Sequence, residues 1–423
     1  MASFEELLIG VQHTRIYATA LFFFAAYPIV SSLMWVTTSL FFVFRWERDD
    51  IVGAPIDRSH APPVSILIPA HNEEAVIARS LAAACAVDYP DYEIVVVNDG
   101  STDRTVQQIL PFVQAGRVRL IDKRINEGKA MALNDALPML RGDIIFIMDA
   151  DAEPEPDVLW HMTPHFLSAR VAAVTGNPRV RNVDSFIARL QAIEFTSIVS
   201  LLRRSQRIWG RIVTVSGVVA AFRKSALLSV GGFSPDMPTE DIELTWKLQR
   251  RFFDIRYEPR AIVWMTVPTH FRALFAQRLR WARGLMQVLH RHRDVIAHWR
   301  YRRMWPMVVE SVLSICWAIV FLVMTSLWIV SWSIGFPPVG ASPLPNLWGM
   351  AIATLCLIQL GLGTLIDHRY DRDIWRYFPY AVFYPLIYWA FLAITTCLSL
   401  RHLFVAPARQ PVTWNTARTG RDA

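Results

Sequence analysis

Two short acidic motifs are the residues best suited to chemistry in this chain. Asp149 and Asp151 flank Ala150 at the end of the apolar run DIIFIMD, 143 to 149. The chain can bend there and let both carboxylates face one hard cation, and an oxygen-only pair suits Mg2+ or Mn2+. A cation so held can bridge a diphosphate and stabilise it as it leaves. Glu240 and Asp241 open the amphipathic stretch PTEDIELTWKLQRR, 238 to 251. Acids in a first helical turn serve capping and the helix dipole; the alternative is a general base that takes the proton of an acceptor hydroxyl.

Three further positions extend this chemistry. Asp99, in NDGST, could accept hydrogen bonds from a nucleotide base or close an Asx-turn at a strand end, and both roles are compatible. Lys129, in NEGKA at an expected helix start, is one of four lysines among 43 Lys plus Arg. A compact point charge there suits phosphate or base. In QRLRW, 277 to 281, Gln277, Arg280 and Trp281 are spaced by three and four residues and share one helical face. Arg280 offers a diphosphate its fixed fork of donors, and Trp281 a flat surface for stacking a sugar ring. Phe275, Leu279, Ala282, Met286 and Leu289 form an apolar stripe on another face. The stripe is expected to enter the lipid boundary while the polar face closes a cleft. An ordinary juxtamembrane basic helix would explain the arginines but not the acidic motifs.

These residues need a frame. VSILIPA (64 to 70), EIVVVND (93 to 99), VRLID (118 to 122) and DIIFIMD are apolar runs separated by helix-like segments, the pattern of a parallel α/β sheet. HNEE, NDGST and DAD follow the first, second and fourth runs, at the strand ends where such sheets bind ligands. Three acidic strand ends are therefore expected to converge. Neither a GxGxxG nor a GxxxxGK[ST] loop is present.

With 423 residues, 53% of them hydrophobic, and 16 Trp, the chain is too apolar for one soluble domain. Tyr17 to Phe44 carries no charge over 28 positions, enough to span ~30 Å of hydrocarbon. Glu5 and Glu6 precede it where a signal peptide would have basic residues. Ser311 to Ile366 is also uncharged and is broken by GFPPVGASPLPN, 335 to 346, which reads as a helical hairpin. Tyr377 to Leu400, after DHRYDRDIWR, makes a fourth expected span. The resulting division is 1–50 with one span, 51–273 as the catalytic domain, 274–304 as an interfacial helix region, 305–405 with three membrane segments, and 406–423 as a tail.

Arg45, Arg48, Arg291, Arg293, Arg300, Arg302 and Arg303 flank the spans and put the middle domain in the cytoplasm. The net charge of +7 gathers beside the membrane segments, so anionic lipid explains it and nucleic acid does not. Cys85, Cys316, Cys356 and Cys397 lack CxxC spacing and imply neither disulfides nor zinc. Four alternating spans place the tail outside, against its Arg401, Arg409, Arg418 and Arg421; a re-entrant or broken last segment is the alternative. Glu310 is the only charge between Pro306 and Ile366 and is expected at the cytoplasmic mouth of a polymer channel or as a snorkelling helix-end glutamate.

The order NDGST, DAD, TED, QRLRW on an α/β domain between membrane spans resembles the processive family 2 glycosyltransferases, which include cellulose, chitin, hyaluronan and poly-N-acetylglucosamine synthases. VTGNPRVRN (174 to 182), the stretch 203 to 227, MPTEDIELTWKLQ (237 to 249) and QRLRWARG (277 to 284) are most similar to the bacterial poly-β-1,6-N-acetyl-D-glucosamine synthases. The resemblance implies a GT-A fold, a UDP-N-acetylglucosamine donor, a divalent cation and inverting transfer to a growing biofilm polysaccharide. It implies that Asp99 and Lys129 hold the uridine diphosphate end, Asp149 and Asp151 the metal and phosphates, and that Asp241, beside Glu240, is the base. Arg280 would meet the diphosphate, with Gln277, Trp281, Ser216 and Gly217 at the acceptor. It also implies a multi-pass protein of the bacterial cytoplasmic membrane, a small membrane partner subunit and cyclic-di-GMP control, although no nucleotide-sensing domain is visible. Many relatives carry two hydrophobic helices before the catalytic domain and this chain one, which puts its N-terminus outside. A β-1,4 chitin-like or hyaluronan-like synthase, a polyprenyl-phosphate sugar transferase, and a scaffold with a degenerate sugar-nucleotide domain are the competing readings.

Overall fold

The four apolar runs become four adjacent strands: β1 (Val64–Ala70), β2 (Tyr92–Asp99), β3 (Arg119–Lys123) and β4 (Ile144–Ile147). The computed structural model describes residues 6, 10 to 47, 60 to 335, 347 to 405 and 410 to 413. Arg48, nearly all of the 335 to 346 turn, and Arg409, Arg418 and Arg421 lie outside the described residues. The strands pair in parallel in the order β3-β2-β1-β4. Alternate residues feed two core layers. Ile66, Ile68, Val96 and Phe146 enter one, while Leu67, Val95, Val97, Ile145 and Ile147 enter the other. A strand covered on both faces has no polar side, which is why these runs read as continuously apolar.

Beyond β4 the sheet changes direction. β7 (Ala220–Arg223) pairs antiparallel with both β4 and β6 (Val171–Val180), and β6 runs parallel to β8 (Asp254–Met265). The short β5 (Glu153–Pro154) closes the eight-stranded sheet against β8. The expected α/β sheet is thus mostly parallel on one side and mixed on the other.

Among the described residues three helices are long and apolar enough to cross a membrane: Arg15–Glu47, Trp299–Ser333 and Met350–Asp367. Pro28 in the first has no N–H to donate to the Phe24 carbonyl four residues back. The Trp317 indole takes that place, donating to Phe24 O at 3.0 Å. The stretch expected as a fourth span is helical without a break from 374 to 403, but it is not one α-helix. Residues 374 to 399 run through a 3-10 turn (Ile374–Phe383), a π turn (Tyr384–Tyr388) and a short helix (Trp389–Ser399). Pro379 and Pro385 have no N–H to give the α-helical ladder there. Val412 N–H donates to Pro235 O at 2.9 Å, so residues 410 to 413 lie against the α/β domain.

The domain is locked to the helix ends by charges that are buried except for Arg369. Asp367 pairs with Arg204 at 2.8 Å and with Arg179 at 2.5 Å, and Glu47 pairs with Arg204 at 2.5 Å and also with Arg369. Removing one member would strand the others out of water, so the network fixes geometry more than it adds stability.

Candidate active site

The site assembles where β2, β4, the loop before β7 and two helices meet. Asp99 ends β2 with its side chain fully buried. Its carboxylate accepts from the backbone N–H of Gly128 at 2.7 Å and Glu127 at 3.2 Å and faces Lys123 Nζ at 3.3 Å. It therefore pins the 124 to 128 loop that delivers Lys129. Val412 of the tail lies against Gly128 in the same place.

Lys129 begins the helix Lys129–Ala136 and is the hub of the site. Its Nζ donates to Asp149 Oδ1 at 2.6 Å and lies 3.2 Å from Glu240 Oε1. Burial works against its charge, but Asp149, Glu240 and Asp241 outweigh that and raise its pKa above the ordinary lysine value. Asp149 and Asp151 sit in the turn after β4, which Ala152 N–H closes onto Asp149 O at 3.1 Å; both side chains are largely buried.

The helix Glu240–Arg250 presents Asp241 from the opposite wall. Asp241 Oδ2 accepts from Gly217 N–H at 3.2 Å, and Oδ1 from Ile242 N–H at 2.8 Å. Burial first, and then the neighbouring Glu240 charge, push its carboxyl up to about 6, with Lys129, the Ile242 N–H and Arg280 pulling the other way. A base whose pKa lies near neutrality is efficient. Ser216 N–H donates to Thr175 Oγ1 at 2.9 Å, which fixes the loop that carries Gly217.

The QRLRW helix, Phe271–Arg291, crosses above. Its Gly284 touches Thr239, the residue before Glu240, so closely that a Cβ there would lie 2.0 Å from Thr239 Oγ1. A glycine is needed for that approach. Arg280 lies near enough to Asp241 to act on its charge, and Trp281 packs with Val218 on one apolar cluster. Gln277 Oε1 accepts from Arg278 at 3.3 Å.

One expectation changes. The apolar stripe does not face lipid directly: Phe275 packs on Phe391 at 5.8 Å, and Met286 and Leu289 are buried with Trp246, Met304 and Val308. Periodicity marks a face for burial without saying what buries it. HNEE and NDGST are laced together: Glu74 accepts from Arg104 N–H at 3.0 Å, Asn72 from Thr102 N–H at 2.8 Å, and His71 Nδ1 lies 2.8 Å from Asp99 O. Glu310 is half-buried and faces Tyr27 of the first helix. Sequence reasoning did not single out Arg278, Glu194 and Tyr388, whose side chains meet beside Trp281; only Arg278 lies inside a recognised motif.

Asp149 and Asp151 fit a hard divalent cation by donor type. Among the described residues no group of three or more His, Cys, Asp or Glu could hold a metal by itself. Two carboxylates leave coordination positions for other oxygens, as a cation shared with a diphosphate requires.

The family described as "Glycosyltransferase like family 2" matches residues 62 to 284. The chain is 30% identical over 413 residues to a poly-beta-1,6-N-acetyl-D-glucosamine synthase of Staphylococcus epidermidis, covering 94% of this chain and 98% of that one. It is 31% identical over 405 residues to the synthase of the same name from Staphylococcus aureus, with the same coverage. Among solved structures it resembles a mannosyltransferase from Pyrobaculum calidifontis in complex with GDP-Man and Mn2+, with a TM-score of 0.57, 23% identity, and 86% and 99% of the two chains covered. That likeness shows the GT-A fold. The matched span ends at Gly284, so it takes in every carboxylate of the site together with QRLRW, and the chain belongs to glycosyltransferase-like family 2 and is a glycosyltransferase.

Proposed function

We propose that this protein polymerises N-acetylglucosamine from UDP-N-acetylglucosamine into poly-β-1,6-N-acetyl-D-glucosamine at the cytoplasmic face of the bacterial cytoplasmic membrane. The observation that carries the reading is Lys129, which bonds Asp149 on one side and meets Glu240, beside Asp241, on the other. A diphosphate end and a base end meet around one ammonium group. The two synthase relatives, alike over nearly the whole chain, support the choice of sugar and linkage.

In this reading Asp241 takes the proton of the 6-hydroxyl at the end of the growing chain. That oxygen forms the new bond to the donor's anomeric carbon from the face opposite the diphosphate, and the bond to UDP breaks with its electron pair on UDP. Direct displacement inverts the anomeric centre and needs no covalent enzyme intermediate. Asp149 and Asp151 would hold Mg2+ or Mn2+, which when bound neutralises diphosphate charge. Lys129 and Arg280 add fixed positive charge beside the leaving group. Asp99 orders the loop of Lys129 and lies where the uridine end is received. Trp281 and the Ser216–Gly217 loop receive the acceptor sugar, and the polymer leaves among the membrane helices, with Glu310 at their cytoplasmic end.

The test is incubation of membranes with radiolabelled UDP-N-acetylglucosamine and Mg2+, followed by a β-1,6-specific hydrolase. Labelled polymer that the hydrolase dissolves is expected. Polymer that resists it would refute the linkage, and UDP release without polymer would refute polymerisation.

A further inference from the structure

Arg278 stands inside QRLRW, yet the transfer reaction gives it no task. It is 3% exposed, and its guanidinium carbon lies 4.0 Å from the centroid of the Trp281 ring. A cation at that distance occupies one face of an indole. The guanidinium is itself held: Nη2 donates to Tyr388 Oη at 2.9 Å and to Glu194 Oε2, and Tyr388 donates to the same Glu194 oxygen at 2.6 Å. Nη1 reaches Gln277 at 3.3 Å. Tyr388 is fixed in turn by Tyr384, stacked at 4.9 Å with an interplanar angle of 18°.

The two anchors come from distant segments. Glu194 opens the π turn Glu194–Val199, and Tyr388 closes the π turn Tyr384–Tyr388 of the segment 374 to 403. π turns are rare and gather at functional positions. Here two of them converge on one buried guanidinium behind a half-buried Trp.

We infer that Glu194, Arg278 and Tyr388 form a positioning unit that clamps one face of Trp281, leaving the other to the acceptor sugar, so that the segment 374 to 403 sets how firmly the growing chain is gripped. The three are positioning residues and touch neither donor nor acceptor. The inference rests on the reading of Trp281 as the acceptor platform.

Tyr388→Phe removes one hydroxyl from the clamp and keeps the ring stack; Glu194→Gln keeps size and removes the charge. Each would be made in the full chain, reconstituted in lipid nanodiscs, and assayed for UDP affinity, for turnover against soluble N-acetylglucosamine oligomers, for product length and for melting temperature. Both variants should bind UDP within about twofold of wild type while the KM for oligomers rises about tenfold, the size of one charge-assisted hydrogen bond, and products shorten. Arg278→Lys, which keeps the cation but loses the planar fork, should fall between wild type and Glu194→Gln. Unchanged oligomer KM and product length in both variants would overturn the inference, as would a fall in UDP affinity parallel to the fall in oligomer use, the sign of a merely structural role. Should Tyr388→Phe not fold, Glu194→Gln and Arg278→Lys decide by the same readouts. A wild-type protein that makes no polymer refutes the proposed function instead, and is told apart by the control.

Discussion

Gly217 donates its backbone N–H to Asp241 Oδ2 at 3.2 Å, and a Cβ on Gly217 would lie 3.3 Å from that oxygen and 3.2 Å from Lys129 Nζ. One backbone position therefore borders both the base and the lysine. Gly217→Ala should displace one of them by a few tenths of an ångström. Turnover is expected to fall by between about tenfold and a hundredfold, the usual result of small misplacement. Kinetics and melting temperature on one preparation check this, and wild-type turnover would show that the site tolerates a methyl there.

Asp241→Asn should separate chemistry from binding. The amide keeps the size of the carboxylate but cannot take the hydroxyl proton, and loss of a general base costs ~10²- to 10⁴-fold in rate. UDP-N-acetylglucosamine should bind with near wild-type affinity, and Glu240→Gln should be milder. A purely capping role would show the reverse pattern: a loss of about 1 kcal/mol of stability with synthesis retained in the folded fraction.

The pH dependence has a definite sign. Asp241 must be unprotonated to act and its carboxyl is pushed up to about 6, so kcat/KM should rise with pH through that value and level off above it. Lys129 helps to hold the carboxyl down, so Lys129→Met should move the ascending limb to higher pH, besides lowering the plateau. A pH profile of each protein measures both. A limb that stays in place would remove the electrostatic link between the two groups.

Asp149→Asn should weaken the metal-dependent part of UDP binding by at least about tenfold, the lower end of what disturbing a metal site does. Calorimetric titration of UDP with and without Mn2+ reads the difference. Equal metal-dependent affinity in variant and wild type would take Asp149 out of the cation site.

Gly284→Ala drives a Cβ into Thr239, whose Oγ1, Cγ2 and Cβ would all lie within 2.7 Å of it. The helix Phe271–Arg291 must then rise off the start of the helix Glu240–Arg250, carrying Arg280 away from Asp241. A loss of about 1 to 3 kcal/mol is expected from overpacking, together with lost turnover. Adding Thr239→Ala removes two of the three clashing atoms and should restore part of both. Melting temperature and activity of the single and double variants check the contact.

The apolar runs that became β1 to β4, the acids at the ends of β2 and β4, and the faces of the 238 to 251 and 271 to 291 helices were determined locally. Burial on both sides of a strand, or on one side of a helix, leaves its period in the residues of that element alone. Partners leave no such period. That β7 inserts antiparallel between β4 and β6 depends on contacts between segments far apart in the chain. The stripe of Phe275, Met286 and Leu289 announces a buried face, but only the folded chain brings residues 389 to 399 and 304 to 308 to cover part of it in place of lipid. Pro379 and Pro385 were legible as breakers, but that Tyr388 between them and Leu400 meets Glu194 and Arg278 depends on segments far apart in the chain. Asp241 and Lys129 could be named from their motifs. Their meeting around Asp149 and Gly217 was decided by tertiary structure, because four segments from residues 129 to 241 must each close on the same few ångströms before any charge among them can be felt.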